Sequence, residues 1–262
     1  EKCLGWGREL WCILKNCECS IFKSTGYALR NAWARLSGRI LRNVDMFIVQ
    51  TEFQKSKFAE RGIPESRIGI VPAFVPCNGD AEPQGLGDLV TFVGRVSPEK
   101  GIDDFLAAAR LLPELPFDVA GSENGMPGIR KRSPANVQWL GFLRADALRD
   151  LYSRSRIIVV PSRWYEGFPN VVAQAMALAR PVIAARIGAM TSIVDDNKSG
   201  LLTEVNDAGD LARKIDTLYQ DSTLCCRIGQ RARDKALAQY TSENVYAALI
   251  AVYENAIRKI RK

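Results

Sequence analysis

The chain has 262 residues, of which 47% are hydrophobic and 25% charged, a composition typical of a globular protein with a sizeable core and not of a disordered one. Its 36 lysines and arginines against 29 acidic residues give a formal net charge of +7, which favours anionic partners such as phosphates or an anionic membrane surface. The sequence contains no histidine, so a histidine base, nucleophile or metal ligand within this chain is excluded.

Cysteine use and hydropathy predict the compartment. Seven cysteines, an odd number that includes the neighbours Cys225 and Cys226, indicate free thiols in a reducing compartment and not a disulfide scaffold. No run of 18 or more apolar residues occurs, and the first residues do not resemble a signal peptide. We therefore expect a cytoplasmic protein, with a peripheral position at the inner face of the membrane as an option. Because the sequence does not begin with Met, we expect a fragment.

The first twenty residues show no clear period. Four cysteines fall here, and they leave a zinc cluster open as an interpretation: Cys3, Cys12, Cys17 and Cys19. Their spacing is not that of a zinc finger, so incidental thiols are the favoured interpretation and no metal site is predicted.

A basic amphipathic helix is predicted over residues 22–43. Apolar side chains recur there at helical spacing, at Leu29, Trp33, Leu36 and Ile40. Lysine and arginine lie off this face with no acidic residue among them. The favoured interpretation is a domain helix with a solvated flank, and the alternative is a contact with an anionic membrane or a lipid-phosphate acceptor.

Strands and helices alternate along the rest of the chain. A strand at 44–49, a helix at 51–61 and a strand at 68–71 come first, and a linker is expected at 76–88, which holds two prolines and three glycines. Strands are then predicted at 89–93, 117–120, 137–140, 157–160, 181–184 and 200–202. Helices are predicted at 102–112, 145–154, 169–179, 207–219, 223–239 and 242–258. This alternation predicts an α/β fold with a doubly wound parallel sheet, whose ligands bind outside the carboxyl ends of the strands.

The loop after the strand at 89–93 is the first candidate site. Arg95 and Lys100 lie in this loop just before a helix, and two cations beside a helix N-terminus suit a diphosphate. The alternative is a solvated turn in which Lys100 pairs with Glu99 or Asp103. No Walker loop and no G-x-G-x-x-G occurs, which argues against kinase-type and dinucleotide-cofactor functions.

The loop after the strand at 157–160 is the second candidate site. Gly167 allows a close approach of the backbone to a ligand, and amides at the following helix start can bind a phosphate or a sugar hydroxyl. Glu166 offers an acceptor to hydroxyl groups, and Gln174 lies two helical turns further on. The alternative is that Glu166 only caps the helix and that Trp164 and Tyr165 only pack.

Residues 44–256 resemble the retaining glycosyltransferases of family 4, known as glycosyl transferases group 1, which have the GT-B fold of two Rossmann-like domains facing a cleft. The resemblance rests on these segments: Phe92-Val93-Gly94-Arg95, Lys100-Gly101, 137–141, Val159-Val160-Pro161-Ser162, Glu166-Gly167-Phe168-Pro169, Ala175-Met176-Ala177, Arg180-Pro181-Val182-Ile183-Ala184 and Gly200-Leu201-Leu202. It implies a GT-B-type fold with an incomplete N-terminal domain. The implied domains are a remnant of the acceptor domain at 1–78, a donor-binding domain at 79–240, and a C-terminal helix at 241–262 that packs back on the N-terminal part.

The resemblance also implies roles for particular residues. Arg95 and Lys100 would bind the donor diphosphate and Glu166 the donor sugar, and these three would form the catalytic set. The remaining donor-binding residues it implies are Gly94, Leu140, Gly141, Phe142, Leu143, Gly167, Phe168, Pro169, Asn170, Val171 and Gln174, with the nucleobase near residues 140–143. No metal and no cofactor is implied besides the nucleotide sugar, because basic residues and helix dipoles neutralise the leaving diphosphate.

Three positions differ from the family pattern. Gln174 replaces the second glutamate, which holds the ribose, and the lost charge would weaken nucleotide binding by roughly 1–3 kcal/mol. Ser192 stands where an acidic residue is common, and Ala179 stands where glycine is common.

The function expected is transfer of a sugar from a nucleotide diphosphate sugar to a saccharide or lipid-linked acceptor, with retention, in surface-glycan synthesis. Two alternatives stay open. One is a non-catalytic nucleotide-sugar-binding fragment or the donor half of a split enzyme, and the other is a sugar-nucleotide epimerase. No nucleic-acid partner is expected, because no known module or interleaved aromatic patch is present.

Overall fold

A computed structural model describes residues 9–76, 85–123 and 125–260. The chain divides into two compact units, one formed by Glu1–Phe47 with Ala256–Lys262 and the other by Ile48–Asn255. Cys3 of the possible zinc cluster and residues 77–84 of the expected linker lie outside the described residues.

The first unit contains three complete helices in its described part, α1 (Leu10–Leu14), α2 (Ile21–Ser37) and α3 (Arg39–Asn43), and the end of a fourth that begins in the second unit. The single helix predicted over 22–43 is therefore wrong in its length. Gly38 adopts φ +59°, a left-handed conformation that ends α2 and separates it from α3.

Helix α2 is amphipathic, as its spacing predicts. Ser24 and Ala28 are buried, whereas Leu29, Trp33 and Leu36 are exposed within the described part of the chain. The side chain of Ile40, predicted on the same face, lies outside the described ones. The apolar stripe of α2 is thus a surface feature here.

The second unit begins with a small sheet. Strands β1 (Phe47–Val49) and β2 (Ile68–Ile70) pair, and helix α4 (Glu52–Ala59) connects them. The hydroxyl of Thr51 caps α4 by accepting a hydrogen bond from the amide of Gln54.

The main sheet of the second unit is parallel throughout, in the order β5-β4-β3-β6-β7-β8. Its strands are β3 (Leu89–Val93), β4 (Phe117–Ala120), β5 (Val137–Gly141), β6 (Ser155–Val160), β7 (Val182–Ala185) and β8 (Leu201–Thr203). The helices that follow in chain order are α5 (Ile102–Leu111), α6 (Ala145–Arg154), α7 (Asn170–Ala177), α8 (Met190–Ile193), α9 (Ala208–Gln220), α10 (Ser222–Gln239) and α11 (Ser242–Ile260).

Both faces of this sheet are covered by helices. Ile157 and Val159 of β6 join the core under α5 and α9, whereas Ile158 and Val160 join the core under α7 and α10. Alternate residues of a strand point to opposite faces, so a strand buried on both sides is apolar throughout. The doubly wound α/β fold is confirmed, and burial of each large aliphatic side chain contributes about 1.5–3 kcal/mol.

The order of the strands fixes the place of a ligand. From β3 the chain continues to β4 and β5 on one side, and β6, β7 and β8 lie on the other. The crevice outside the carboxyl ends of β3 and β6 is therefore the switch point at which such sheets bind ligands. Both candidate loops start at this crevice. No helix in the described ranges is long and apolar enough to cross a membrane.

Candidate functional site

Lys100 and Glu166 meet at the switch point. Lys100 Nζ lies 2.7 Å from Glu166 Oε1, and the buried hydroxyl of Ser162 donates to the same oxygen at 2.6 Å. The alternative in which Lys100 pairs with Glu99 or Asp103 is not what the structure shows. The two candidate loops thus form one site, and Glu166 is held from two sides.

Arg95 lies at the same site. It lines a cavity of about 500 Å³ together with Lys100, Glu166 and Trp164. Its guanidinium pairs with Glu99 at 3.1 Å, where Arg95 is largely in solvent and Glu99 is half-buried. The Glu99 carboxylate accepts a hydrogen bond from the backbone amide of Glu99 itself, and this bond lowers the pKa of Glu99 below its ordinary value. The positive charges of Arg95 and Lys100 lower that pKa further. The cavity combines two cations with two carboxylates, a set suited to a ligand with both phosphate and hydroxyl groups.

A second ion pair fixes the β6 loop to helix α5. Arg163 donates to both carboxylate oxygens of Asp104, at 2.9 and 2.5 Å, and its backbone amide donates to the carbonyl of Glu99 at 2.8 Å. The hydrogen bond to Asp104 raises the pKa of the Arg163 guanidinium, so this cation stays charged. The loop after β3 and the loop after β6 are therefore held together.

Glycine is required where these loops touch. Gly101 has φ +73°, and a Cβ placed on it would lie 1.9 Å from the carbonyl oxygen of Pro161. Gly121, after β4, approaches Gly94 equally closely: a Cβ placed on Gly121 would lie 1.8 Å from the Gly94 carbonyl oxygen. Only glycine permits such contacts between backbones.

A more apolar cavity of about 370 Å³ lies next to Arg95. Gly94, Phe142, Leu143 and Leu148 are among the residues that line it. Phe142 and Leu143, which the resemblance places near the nucleobase, thus line an apolar cavity.

Leu140 and Gly141 end strand β5 before that cavity. Gly141 has φ +70°, and its carbonyl accepts from the amide of Gly121 at 2.8 Å. These two residues act as the turn that carries Phe142 to the cavity.

The start of helix α7 lies beside α4 and α10. A Cβ on Gly167 would lie 3.2 Å from Gln54 Nε2 and 3.3 Å from Gln50 Oε1. Phe168 packs edge-on against Tyr240, with ring centroids 5.3 Å apart. These contacts tie the β6 loop to elements that are far away in the sequence.

Helix α7 begins at Asn170, with Pro169 as its capping residue. Pro169 is buried and its carbonyl accepts from the amide of Val172 at 2.9 Å, whereas Asn170 is exposed and Val171 half-buried. The first amides of a helix lack partners inside it, so residues 170 and 171 can offer theirs to a ligand.

Gln174 lies in a third cavity, of about 280 Å³, with Tyr152, Arg149 and Leu148. Its Oε1 accepts from the buried hydroxyl of Tyr152 at 3.2 Å. Leu148 also lines the cavity of Phe142, so the two cavities are neighbours. Burial raises the pKa of Tyr152, which keeps this hydroxyl protonated and able to donate.

Metal binding has no visible basis in the part of the chain that the structure describes, where no group of three or more His, Cys, Asp or Glu side chains could hold an ion. Cys12, Cys17 and Cys19 are free thiols there. The expectation of a metal-independent site stays a prediction.

Sequence reasoning missed several residues that shape the site: Asp104, Arg163, Ser162, Gln50 and Gln54. The sequence indicates a site role for Asp104 only weakly, because a carboxylate in the first turn of α5 is equally explained by its favourable interaction with the helix dipole. Gln50 and Gln54 gave no signal, since their proximity to Gly167 depends on the fold.

A doubly wound sheet with polar loops meeting at its switch point defines a class of ligand-binding α/β domains. Residues 83–235, more than half of the chain, match the family model described as "Glycosyl transferases group 1". The chain belongs to this family.

Curated relatives agree with this assignment. The D-inositol 3-phosphate glycosyltransferase of Mycobacterium sp. (strain KMS) is 30% identical over 248 residues, covering 85% of this chain and 55% of that protein. The protein of the same name in Mycolicibacterium smegmatis is 28% identical over 249 residues, covering 85% of this chain and 56% of that protein. The chain thus spans about half the length of the curated relatives it matches.

Solved structures share the fold. A glycosyltransferase from Rickettsia africae superposes with a TM-score of 0.76 at 20% identity, covering 87% of this chain and 67% of that chain. Anabaena HepE in complex with UDP and glucose gives 0.73 at 20% identity, with the same coverages. The expected GT-B-type α/β fold is confirmed.

Proposed function

We propose that this chain carries the donor-binding part of a glycosyltransferase that moves a sugar from a nucleotide diphosphate sugar to a saccharide or lipid-linked acceptor. Retention of anomeric configuration and a role in surface-glycan synthesis belong to the same proposal. The observation that carries it is the contact of Lys100 with Glu166, beside Arg95, at the switch point of a sheet in a chain of this family.

The proposed reaction exchanges one bond to the sugar for another. The bond from C1 to the β-phosphate oxygen breaks, a bond from C1 to the acceptor oxygen forms, and the acceptor proton passes to the leaving diphosphate. Arg95 and Lys100 neutralise the charge that develops on that diphosphate, and Glu166 accepts hydrogen bonds from sugar hydroxyls. No histidine and no metal is needed in this scheme.

The nucleoside is assigned to the neighbouring cavities. Phe142 and Leu143 offer an apolar contact to a base. Gln174 takes the ribose role weakly: its carbonyl oxygen already accepts from Tyr152, and its second lone pair stays open to a ribose hydroxyl. HepE was crystallised with UDP, which makes UDP the first nucleotide to test.

The test of this proposal follows the donor by ³¹P NMR. With water in place of the acceptor, we expect the chain to hydrolyse one of UDP-glucose, GDP-mannose and ADP-glucose slowly to nucleoside diphosphate and free sugar. A ¹H spectrum recorded before mutarotation should show the freed sugar in the anomeric configuration of the donor. Glu166→Gln should slow this release at least tenfold, because the carboxylate acts on the sugar. Inverted sugar would refute retention.

The second candidate, a binding module without activity, is favoured by Gln174, a neutral side chain where the family resemblance implies a glutamate that holds the ribose. It predicts saturable binding of the nucleotide sugar with no release of diphosphate in the same experiment. Epimerised nucleotide sugar in the ³¹P and ¹H spectra would support the epimerase instead.

Helix α2 supports a peripheral contact with an anionic membrane as a further part of the proposal. Residues 21–43 contain five basic and no acidic residues, and Phe22, Leu29 and Trp33 are exposed in the described part. Co-sedimentation with phosphatidylglycerol vesicles, and not with phosphatidylcholine vesicles, is expected at low salt. Equal sedimentation with both would exclude the electrostatic contact. The cytoplasmic location stays a prediction.

A further inference from the structure

The loop between β6 and α7 presents one aromatic side chain to solvent at the candidate site. Trp164 is 65% exposed and lines the same cavity as Arg95, Lys100 and Glu166. Within the described residues, no hydrogen bond or ring contact holds its indole. This large apolar ring is therefore available to a ligand.

The neighbours of Trp164 are firmly held. Arg163 is bound to Asp104 by two hydrogen bonds, and Tyr165 stacks on Phe53 with ring centroids 5.2 Å apart. Glu166 is bonded to Lys100 and Ser162, as described above. The backbone on both sides of Trp164 is thus fixed by buried or half-buried partners.

A rigid backbone that carries an exposed indole loses little conformational entropy when a ligand covers the ring. Tryptophan is also enriched among the residues that contribute most to binding. Packing explains Tyr165, which rests on Phe53, but it does not explain Trp164.

The surroundings of Trp164 favour a sugar ring over a base. A pyranose has an apolar C–H face that stacks on an indole and a rim of hydroxyls that donate to carboxylates. Glu99 and Glu166 supply such carboxylates at this cavity, and the apolar cavity at Phe142 is available for the base. Glu166 is mostly covered, with 16% of its side chain exposed, so the deeper group meets the donor and the outer ring meets a molecule arriving from solvent.

We propose that Trp164 is the platform on which a pyranose ring of the acceptor saccharide stacks, and that it helps to select a saccharide acceptor. This inference rests on the proposed function and names the acceptor class for the same site. Trp164 acts here as a specificity-determining contact and takes no part in bond making.

The test titrates the full chain with maltose, cellobiose and N,N′-diacetylchitobiose by NMR, in the presence of saturating UDP, GDP or ADP. Trp164→Ala should weaken binding of the preferred disaccharide about tenfold, and Trp164→Phe should restore most of the affinity. Tyr246→Ala is the matched control, because Tyr246 is an aromatic residue of the same exposure, 65%, on α11.

The outcomes separate this inference from the proposed function. Disaccharide binding that is lost in Trp164→Ala, with nucleotide affinity kept within twofold, supports it. Equal disaccharide affinity in Trp164→Ala and the original chain overturns it, and so does nucleotide binding without binding of any disaccharide. Failure to bind every nucleotide would instead overturn the donor site itself.

Discussion

Ala179 follows helix α7 in a backbone conformation that glycine adopts more easily, with φ +55°. A left-handed conformation costs a residue with a Cβ roughly 1–2 kcal/mol. Ala179→Gly should therefore raise the free energy of unfolding by up to about 1 kcal/mol, part of the relief being lost to the greater freedom of the unfolded chain. Urea denaturation measures this.

Ala173→Gly is the matched control, since Ala173 lies in the middle of α7 and is buried. It should lower stability by about 1 kcal/mol or more. A loss of stability in Ala179→Gly would contradict the account of this turn.

Cys225 and Cys226 are sequence neighbours with opposite surroundings. Burial raises the pKa of the Cys225 thiol to about 11, whereas Cys226 is exposed. Only the thiolate reacts, and a raised pKa keeps Cys225 protonated until the pH approaches that value. Iodoacetamide at pH 8 should therefore label Cys226 much faster than Cys225, as read by mass spectrometry.

Denaturant provides the control for this reactivity, because unfolding exposes both thiols and should equalise the two rates. Comparable labelling of both residues in the native chain would contradict the burial of Cys225.

The contact between the two site loops depends on Gly101. Gly101→Ala would force a Cβ against the Pro161 carbonyl and strain a left-handed backbone. Strain and overpacking together should lower the free energy of unfolding by about 2–4 kcal/mol. Nucleotide affinity should fall as well, since Lys100 is its neighbour.

Gly209→Ala is the control in the same unit, where a Cβ would find only ordinary contacts, the nearest at 3.4 Å, in helix α9. It should leave stability unchanged or raise it by up to about 1 kcal/mol. Equal changes in the free energy of unfolding for Gly101→Ala and Gly209→Ala would show that the two loops can move apart to accept a Cβ at residue 101.

The strands of the main sheet were predicted to within about two residues. Strands buried on both faces are continuous apolar runs, as in β6, and glycine or proline bounds several of them. Helix α2 was predicted too long, because a glycine inside an apolar period gives no sign that it adopts a left-handed conformation. The short helix α8 was missed, since four residues carry no period.

At the site, too, the residues within each loop could be predicted from the local sequence, whereas the contacts between loops could not. Lys100 and Glu166 were predicted separately, each from its own loop. Their contact joins residues 66 positions apart and depends on β3 and β6 being neighbours in the sheet. The bond of Arg163 to Asp104 and the approach of Gln54 to Gly167 depend on the fold in the same way.

At the scale of the whole molecule, one parallel sheet brings the two loops together, and three cavities adjoin one another from there. The cavity at Lys100 shares Arg95 with the cavity at Phe142, which shares Leu148 with the cavity at Gln174. These cavities differ in character: one is charged around Lys100, one is apolar around Phe142, and one contains Gln174. We propose that these neighbouring cavities together take the diphosphate and the nucleoside of one donor. The central claim is that this edge of the sheet binds a nucleoside diphosphate.

Calorimetric titration of the chain with UDP, GDP and ADP tests that claim most directly. Arg95→Ala is the site variant, and Arg231→Ala, an exposed arginine on α10, is the control. Hydrogen bonds to charged groups contribute about 1.5–3 kcal/mol, so one nucleotide should bind saturably and lose at least tenfold in affinity in Arg95→Ala alone. A folded chain that binds none of the three, or an Arg95→Ala variant that binds as well as the original, would contradict the account.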